Sequence, residues 1–269
     1  MPLAICATPI GNLDDVTLRV LEELREADLV LCEDTRHTRV LLERHGVAAK
    51  LVSYHQHNEA ARTSQTLERL RSGERVALVS DAGLPGVNDP GARLIGAAAA
   101  EGLEVTVLPG ASAVETALVA SGLAADRFQF VGYLPRRVAQ LRALAAELRT
   151  WSGAVVAFES PRRLPASLRI LAEELPARPA AVCRELTKRY EEVSRGSLEE
   201  LSLRFAEPIR GEVTLVLGVG ASAPSSGDED AASAAVAELV AAGAARRTAA
   251  EVVSRLSGTS RNRLYRGSL

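Results

Sequence analysis

Five short segments of the chain mix Gly, Pro and small polar residues with charged ones: TPIGN (8–12), EDTR (33–36), SDAGLPG (80–86), PGASA (109–113) and ESPRR (159–163). The densest stretch is VSDAGLPGVNDPG, residues 79–91, where glycines and prolines surround Asp81 and Asp89. Glycine admits positive φ and removes the side chain that would hold a ligand away from the backbone. Such loops suit close contact with a small molecule, and what they lack narrows its chemistry. None has the GxxxxGK[ST] pattern, and the only lysines, Lys50 and Lys188, lie outside all of them. A triphosphate site is therefore disfavoured. TPIGN also lacks the GxGxxG spacing of dinucleotide folds. Asp81, placed directly after the apolar run 76–79, would repel phosphate but accept hydrogen bonds from ribose hydroxyls or an ammonium group. A phosphate-free nucleoside with an amino-acid tail fits, S-adenosylmethionine being the common cellular example; other nucleosides would satisfy the same loops.

The elements that must position these loops can be read from periodicity. Apolar runs at 3–7, 29–32, 50–54, 76–79 and 105–108 predict strands, and the spacing of apolar residues predicts helices over 16–27, 38–45, 58–72 and 93–100. This alternation implies an α/β unit with a mostly parallel sheet, and ligands gather at the carboxyl ends of such strands. The pattern restarts after Asp126: strands at 128–133, 154–158, 180–184 and 213–217, helices at 137–150 and 164–175. The expected organisation is an N-terminal α/β lobe over 1–120, a C-terminal α/β lobe over 121–221, a linker at 222–232 rich in Ser, Ala and acidic residues, and a helical tail over 233–269. Helices at 234–242 and 247–256, a Gly-containing turn and a short third segment give the tail a helix-turn-helix outline.

Composition excludes more than it proposes. The net charge of −2, from 32 basic and 34 acidic residues, predicts no partner for the chain as a whole, so local charge must decide. Aromatic residues at 3% argue against an aromatic-rich recognition surface. Cys6, Cys32 and Cys183 are odd in number and share no CxxC spacing, which points to a reducing, cytoplasmic setting and away from disulfides or a zinc site. His55 and His57 stand alone as a potential metal pair, with no matching cluster, so no metal is expected. The first residues lack a basic stretch ahead of an apolar one, and no apolar run is long enough to span a membrane.

TPIGNLDD, EDTRHT, VSDAGLPGVNDPG, LPGASAVETAL, FVGYLPR, ESPRR, RELTKRYEE and GEVTLVLG follow one another in an order that resembles the tetrapyrrole methylase-like superfamily. They are most similar to its branch of cytidine 2′-O-methyltransferases that act on small-subunit ribosomal RNA. The resemblance is dense over 3–220 and extends to the tail. TPIGN stands where the tetrapyrrole enzymes carry a VGAGPGD-type loop, and SDAG stands where the superfamily carries a GDP motif. The first departure speaks against a tetrapyrrole substrate; the second leaves backbone contacts in place but changes the loop's shape. The resemblance implies two α/β lobes with S-adenosylmethionine in the cleft between them, a homodimer, and ribosomal RNA or the 30S subunit as substrate. It implies ligand contacts at Pro9, Ile10, Asp81, Gly83, Leu84, Ala111, Ser112, Ala113, Phe158, Arg184 and Glu212. A small-molecule methyltransferase of the same fold and a non-catalytic RNA-binding relative are the competing readings.

A ribose hydroxyl is weakly acidic, so a nearby base or cation would assist the transfer. Glu185 and Lys188 in RELTK are the first candidates, and Glu33, Asp34 and Arg36 a second set; the alternative role for each is a salt bridge. Asp89 is expected only to cap or turn the chain ahead of the next helix. Arg136, Arg137, Arg142 and Arg149 form a basic stretch after FVGYLP, and the tail carries Arg246, Arg247, Arg261 and Arg263 among six arginines against one glutamate. Arg136, Arg137 and those tail arginines are the expected contacts to RNA phosphates, which would position the substrate without reading its sequence.

Overall fold

The apolar runs LAIC, LVLC and VALV are buried along their whole length, the behaviour of parallel strands covered by helices on both faces. A computed structural model describes residues 3–220, 226–257, 259, 261, 264 and 265. It sets β1 (Leu3–Cys6), β2 (Leu29–Cys32), β3 (Leu51–Ser53), β4 (Val76–Val79) and β5 (Val105–Leu108) in one parallel sheet of order β3-β2-β4-β1-β5. The connecting helices are α1 (Leu18–Glu26), α2 (Thr35–Arg44), α3 (Glu59–Arg71) and α4 (Ala92–Ala100). The chain leaves β1 toward β2 on one side, and leaves β4 toward β5 on the other. The carboxyl ends of β1 and β4 therefore flank a topological switch point, where open α/β sheets bind ligands. Local caps set the helix starts: Thr17 accepts from the Val20 N–H, and Asp34 from the Arg36 N–H. The Asp34 cap explains why α2 begins ahead of the expected residue 38.

The second sheet has order β6-β7-β10-β8-β9, built from β6 (Phe128–Tyr133), β7 (Ala154–Glu159), β8 (Pro179–Arg184), β9 (Glu192–Ser197) and β10 (Val213–Leu217). Only β6 and β7 run parallel; the other pairs are antiparallel. Preceding it is α5 (Ala113–Ser121), and within it lie α6 (Val138–Arg149), α7 (Leu164–Glu174) and α8 (Leu198–Arg204). Periodicity missed α5, β9 and α8. For α8 a signal existed: Ser197 and Glu200 form a reciprocal capping box. Buried Arg178 ties this half together by donating to the carbonyls of Leu148, Gly153 and Gly218.

The helix α5 follows the last strand of the first sheet but packs its Val114, Ala117 and Leu118 against Val156, Ala181, Cys183 and Val216 of the second. Within the expected 1–120 lobe, α5 is thus the element that packs on the second sheet. The tail contains α9 (Ser226–Ala241) and α10 (Arg246–Ser257), joined through Val236, Ala249, Ala250, Val253 and Leu264. Residues 226–232, expected as linker, belong to α9; the run of Ala, Ser and acidic residues is compatible with helix once Val236 has a partner face. Residues 222–225 of that linker, and Arg263, lie outside the described residues.

Candidate active site

The glycine-rich loops mesh at the switch point. Thr8 and Gly83 form an isolated antiparallel bridge, N–H to carbonyl at 2.8 and 3.0 Å in the two directions. The Thr8 hydroxyl also donates to the Ser80 carbonyl at 3.0 Å. Gly83 has φ +78°, which the bridge requires and a side chain would resist. A Cβ on Gly110 would lie 2.9 Å from the Ala7 Cβ, so the PGASA loop can sit on β1 only as glycine. The TPIGN, SDAG and PGASA loops thereby present a floor of backbone and small side chains.

Above this floor lies a cleft of about 950 Å³. Ile10, Gly83, Leu84, Ala111, Ser112 and Ala113 line it from the first sheet's loops and the start of α5, and Phe158 and Glu212 line it from the second sheet. Eight of the expected ligand contacts thus meet in one place. The rest do not. Pro9 is buried beneath the loop, and the Asp81 carboxylate is turned to the Asp34 backbone N–H at 3.1 Å. Arg184 faces Glu192 at 3.6 Å.

The sequence also under-read the cleft. With only four Phe, four Tyr and one Trp in the chain, Phe128, Phe130, Tyr133 and Phe158 all line it. Phe130 and Phe158 stack edge to face at 4.9 Å, as do Tyr133 and Phe158 at 5.5 Å. Gly132, at φ +70°, breaks the β6–β7 register between Phe130 and Tyr133 and so re-aims the tyrosine. In the ESPRR segment, Glu159 and Arg163 support this wall. Glu159 is buried, accepts from the Ser160 N–H and the Ser167 hydroxyl, and faces Arg163 at 3.3 Å. Arg163 in turn donates to the carbonyls of Leu134 and Pro135.

Glu185 and Lys188 do not line the cleft. Lys188 Nζ lies 3.0 Å from Glu185 Oε1 and 3.0 Å from Glu212 Oε2, and Glu185 accepts from the Glu212 N–H at 2.9 Å. Burial works against the Glu185 charge, but the Glu212 N–H and Lys188 outweigh it and hold the carboxyl below its ordinary value. Burial likewise opposes the Lys188 charge, and the two carboxylates raise its pKa regardless. The pair expected to be catalytic thus holds Glu212 at the rim. Glu185 and Thr187 both have positive φ, at 52° and 65°, strain of the kind held at functional loops. The second set is also engaged: Arg36 forks onto Asp34.

Asp89, expected only to turn the chain, lines the cleft. Burial, then the charge of Glu33 and, after the partly offsetting Ser80 hydrogen bond, that of Asp81 push its carboxyl up to about 6. Glu33 is raised by burial and by Asp81, with His55 opposing. The neighbouring Asn88, at φ 62°, also lines the cleft and reaches Gly132 across it, where a Cβ would lie 3.2 Å from Asn88 Oδ1. The signal was the left-handed asparagine before an aspartate in VNDP, which reads in sequence as an ordinary turn.

The expected basic stretch divides. Arg142 pairs with Glu173 and Glu174, and Arg149 with Glu174, whereas Arg136 and Arg137 are exposed. Arg247 and Arg261 are exposed in the tail, and Arg246 is partly so. No group of three or more His, Cys, Asp or Glu residues among the described ones could hold a metal ion, and no described helix is long and apolar enough to cross a membrane.

The model of the family Tetrapyrrole (Corrin/Porphyrin) Methylases matches residues 2–202. A protein of Micromonospora olivasterospora called ribosomal RNA small subunit methyltransferase I is 47% identical over 267 residues, 98% of this chain and 85% of that one. A Thermotoga maritima protein of the same name is 42% identical over 217 residues, which are 80% of this chain but 97% of that one. Among solved structures, uroporphyrin-III C-methyltransferase from Thermus thermophilus, complexed with S-adenosylhomocysteine, shares the fold with a TM-score of 0.58. Identity to it is 21%, over 81% of this chain and 97% of that one.

Proposed function

Since the chain belongs to the tetrapyrrole methylase family, and within it to the ribosomal RNA small subunit methyltransferase I group, we propose that it methylates ribosomal RNA. The methyl group of S-adenosylmethionine passes to the ribose 2′-hydroxyl of a cytidine in small-subunit (16S) RNA. One observation carries the reading: a backbone floor and an aromatic wall enclose a single cleft of about 950 Å³. That is room for a nucleoside-type donor together with an acceptor nucleotide. The small residues Gly83, Ala111 and Ala113 let the donor approach the backbone, and Phe158 covers it from the second sheet. Glu212, held by Lys188, supplies an acceptor for hydroxyl or ammonium hydrogens.

The reaction is an in-line displacement at a methyl carbon, and much of its acceleration can come from holding the two reactants in line. The chain's task is to fix the sulfonium against the loop floor and bring the ribose to it. Arg136 and Arg137, exposed beside the Tyr133 end of the aromatic wall, take RNA phosphates at the cleft. The tail arginines Arg246, Arg247 and Arg261 form a second, outlying contact. Homodimer formation and a cytoplasmic location belong to the same proposal, and the mass of the protein in solution tests the first.

Incubation with methyl-labelled donor and 30S subunits, with a porphyrinoid in a parallel reaction, tests the reading. Label on RNA ribose is expected. Label on the porphyrinoid and none on RNA would overturn it.

A further inference from the structure

The cleft lining contains four carboxylates, Asp89, Glu115, Glu159 and Glu212, and their surroundings separate them. Glu212 is paired with Lys188. Glu159 is saturated by Ser160, Ser167 and Arg163. Glu115 accepts from the Ser112 hydroxyl. Asp89 and Glu115 have no Arg or Lys ion pair among the described residues, and of these two only Asp89 is partly buried, Glu115 being exposed. The groups that face it are Glu33 and Asp81, from the ends of β2 and β4, the Ser80 hydroxyl, and Tyr133 from β6. His55 reaches this group only through Glu33.

The loop that carries Asp89 is fixed on both sides. Asn88 before it is held in the left-handed region and reaches Gly132 of β6. Gly91 after it has φ +139°, and a Cβ there would lie 2.9 Å from Leu78 Cδ2. Backbone strain of this kind persists only where the surroundings over-determine it. The result is a half-buried carboxylate on the cleft lining, pre-positioned and without an Arg or Lys ion pair among the described residues.

From this geometry we propose that Asp89 is the catalytic residue that accepts the proton of the attacking ribose hydroxyl. The inference rests on the reading that a 2′-hydroxyl is the nucleophile. In the step, a lone pair of the 2′-oxygen forms the bond to the methyl carbon while the carbon–sulfur bond breaks. The breaking bond's electron pair stays on sulfur, which leaves as a neutral thioether. The hydroxyl proton moves to the Asp89 carboxylate and from there to solvent, so charge and atoms balance. The raised Asp89 pKa suits the role, because a base that stays ionised at working pH yet binds a proton well is the more effective one. Its apolar and acidic surroundings supply that property at a cost in stability. A carboxyl whose folded pKa lies above its unfolded value holds more protons folded than unfolded over the interval between the two. Stability therefore falls as pH rises through that interval.

Single-turnover methylation of 30S subunits by wild type, Asp89→Asn and Asp89→Glu between pH 5 and 8.5 tests the proposal. The wild-type rate should rise about tenfold per pH unit and level off above about 6. Asp89→Asn should lose about 100-fold or more at pH 7.5 and lose the acid limb, with donor affinity by calorimetry within about threefold. Its thermal midpoint at pH 7.5 should equal or exceed that of wild type, since an ionised carboxylate in acidic surroundings is gone. Asp89→Glu should recover part of the rate and restore the limb. Glu33→Gln should shift the limb to lower pH, because it removes a charge that raises Asp89. An Asp89→Asn rate within threefold of wild type, or an unchanged pH profile at reduced rate, would overturn the proposal. If wild type labels no ribose, the functional reading falls and takes this inference with it; if it labels ribose and Asp89→Asn does too, only the inference falls.

Discussion

Gly11 and Lys188 touch across the two halves of the molecule: a Cβ on Gly11 would lie 2.5 Å from Lys188 Cγ, 2.8 Å from Thr187 Oγ1 and 2.9 Å from the Leu186 carbonyl. The Asn12 N–H also donates to Thr187 Oγ1 at 3.0 Å. The TPIGN loop of the first sheet is therefore locked to the RELTK loop of the second, at the rim where Lys188 holds Glu212. A contact so placed is expected to help set the angle between the halves, and with it the cleft.

Gly11→Ala should force the two loops apart. Overpacking of this kind costs about 1–3 kcal/mol, and much of the strain should appear as a wider cleft. We expect weaker methyl-donor binding together with a lower thermal midpoint, measured by calorimetry and thermal unfolding. Unchanged donor affinity would mean that the loops do not set the cleft.

Phe158 stands at the centre of the aromatic wall, in contact with both Phe130 and Tyr133. Phe158→Ala should remove the cover over the donor and loosen both neighbours. Donor affinity should fall about tenfold or more, given that aromatic pairs contribute about 0.5–1.5 kcal/mol beyond the area they bury. Equilibrium binding of the donor in the absence of RNA isolates this effect.

Arg178 donates to three carbonyls from separate segments while buried, and burial pulls its pKa down. Arg178→Met should strip the guanidinium donors from the Gly153 and Gly218 carbonyls, while Leu148 keeps the Trp151 N–H, and destabilise the protein by about 2 kcal/mol or more, since a buried polar group left without a partner costs about 1–3 kcal/mol. Denaturant unfolding at neutral pH measures the loss directly. Donor affinity of the variant that remains folded should be little changed, because Arg178 is not among the residues that line the cleft.

Deletion of 222–269 removes a unit whose buried apolar cluster, among the described residues, is drawn from the tail alone. The truncated protein should fold and keep its donor affinity. Its affinity for 30S subunits should fall, and the salt dependence of binding should become shallower, since fewer phosphates are neutralised. Arg246→Glu with Arg247→Glu in the full chain should reproduce the loss and reduce the salt slope by about 1–2. A slope identical to that of wild type would remove the tail from the RNA interface.

Much of the fold was legible because the strands of the first sheet are buried on both faces and read as unbroken apolar runs. The strands β4, β5, β6 and β10 match the predicted bounds residue for residue. The second sheet's outer region was harder. The strand β9 reads EVSRGS, polar because its edge position leaves one side open, and α8 is too short for its period to register. The loops that form the cleft floor were visible from their glycines, since only a positive φ or a close approach demands that residue at Gly83 and Gly110. The carboxylates were not. Asp81 and Asp89 stand in the same loop with the same side chain, and which one faces the cleft depends on Asn88 and Gly91 turning the backbone between strand and helix. That turn takes its meaning from Gly132, more than forty residues later in another sheet. The aromatic wall was hidden in the same way. Scarcity along the chain did not reveal concentration in space.

The most direct measurement of the central claim is nucleoside mass spectrometry of 16S RNA digested after incubation of 30S subunits with the protein and an isotopically methyl-labelled donor. The account predicts that the label appears in 2′-O-methylcytidine, with the label gained by RNA matching the donor consumed. Label confined to a nucleobase, or donor consumed with none gained by RNA, would contradict it.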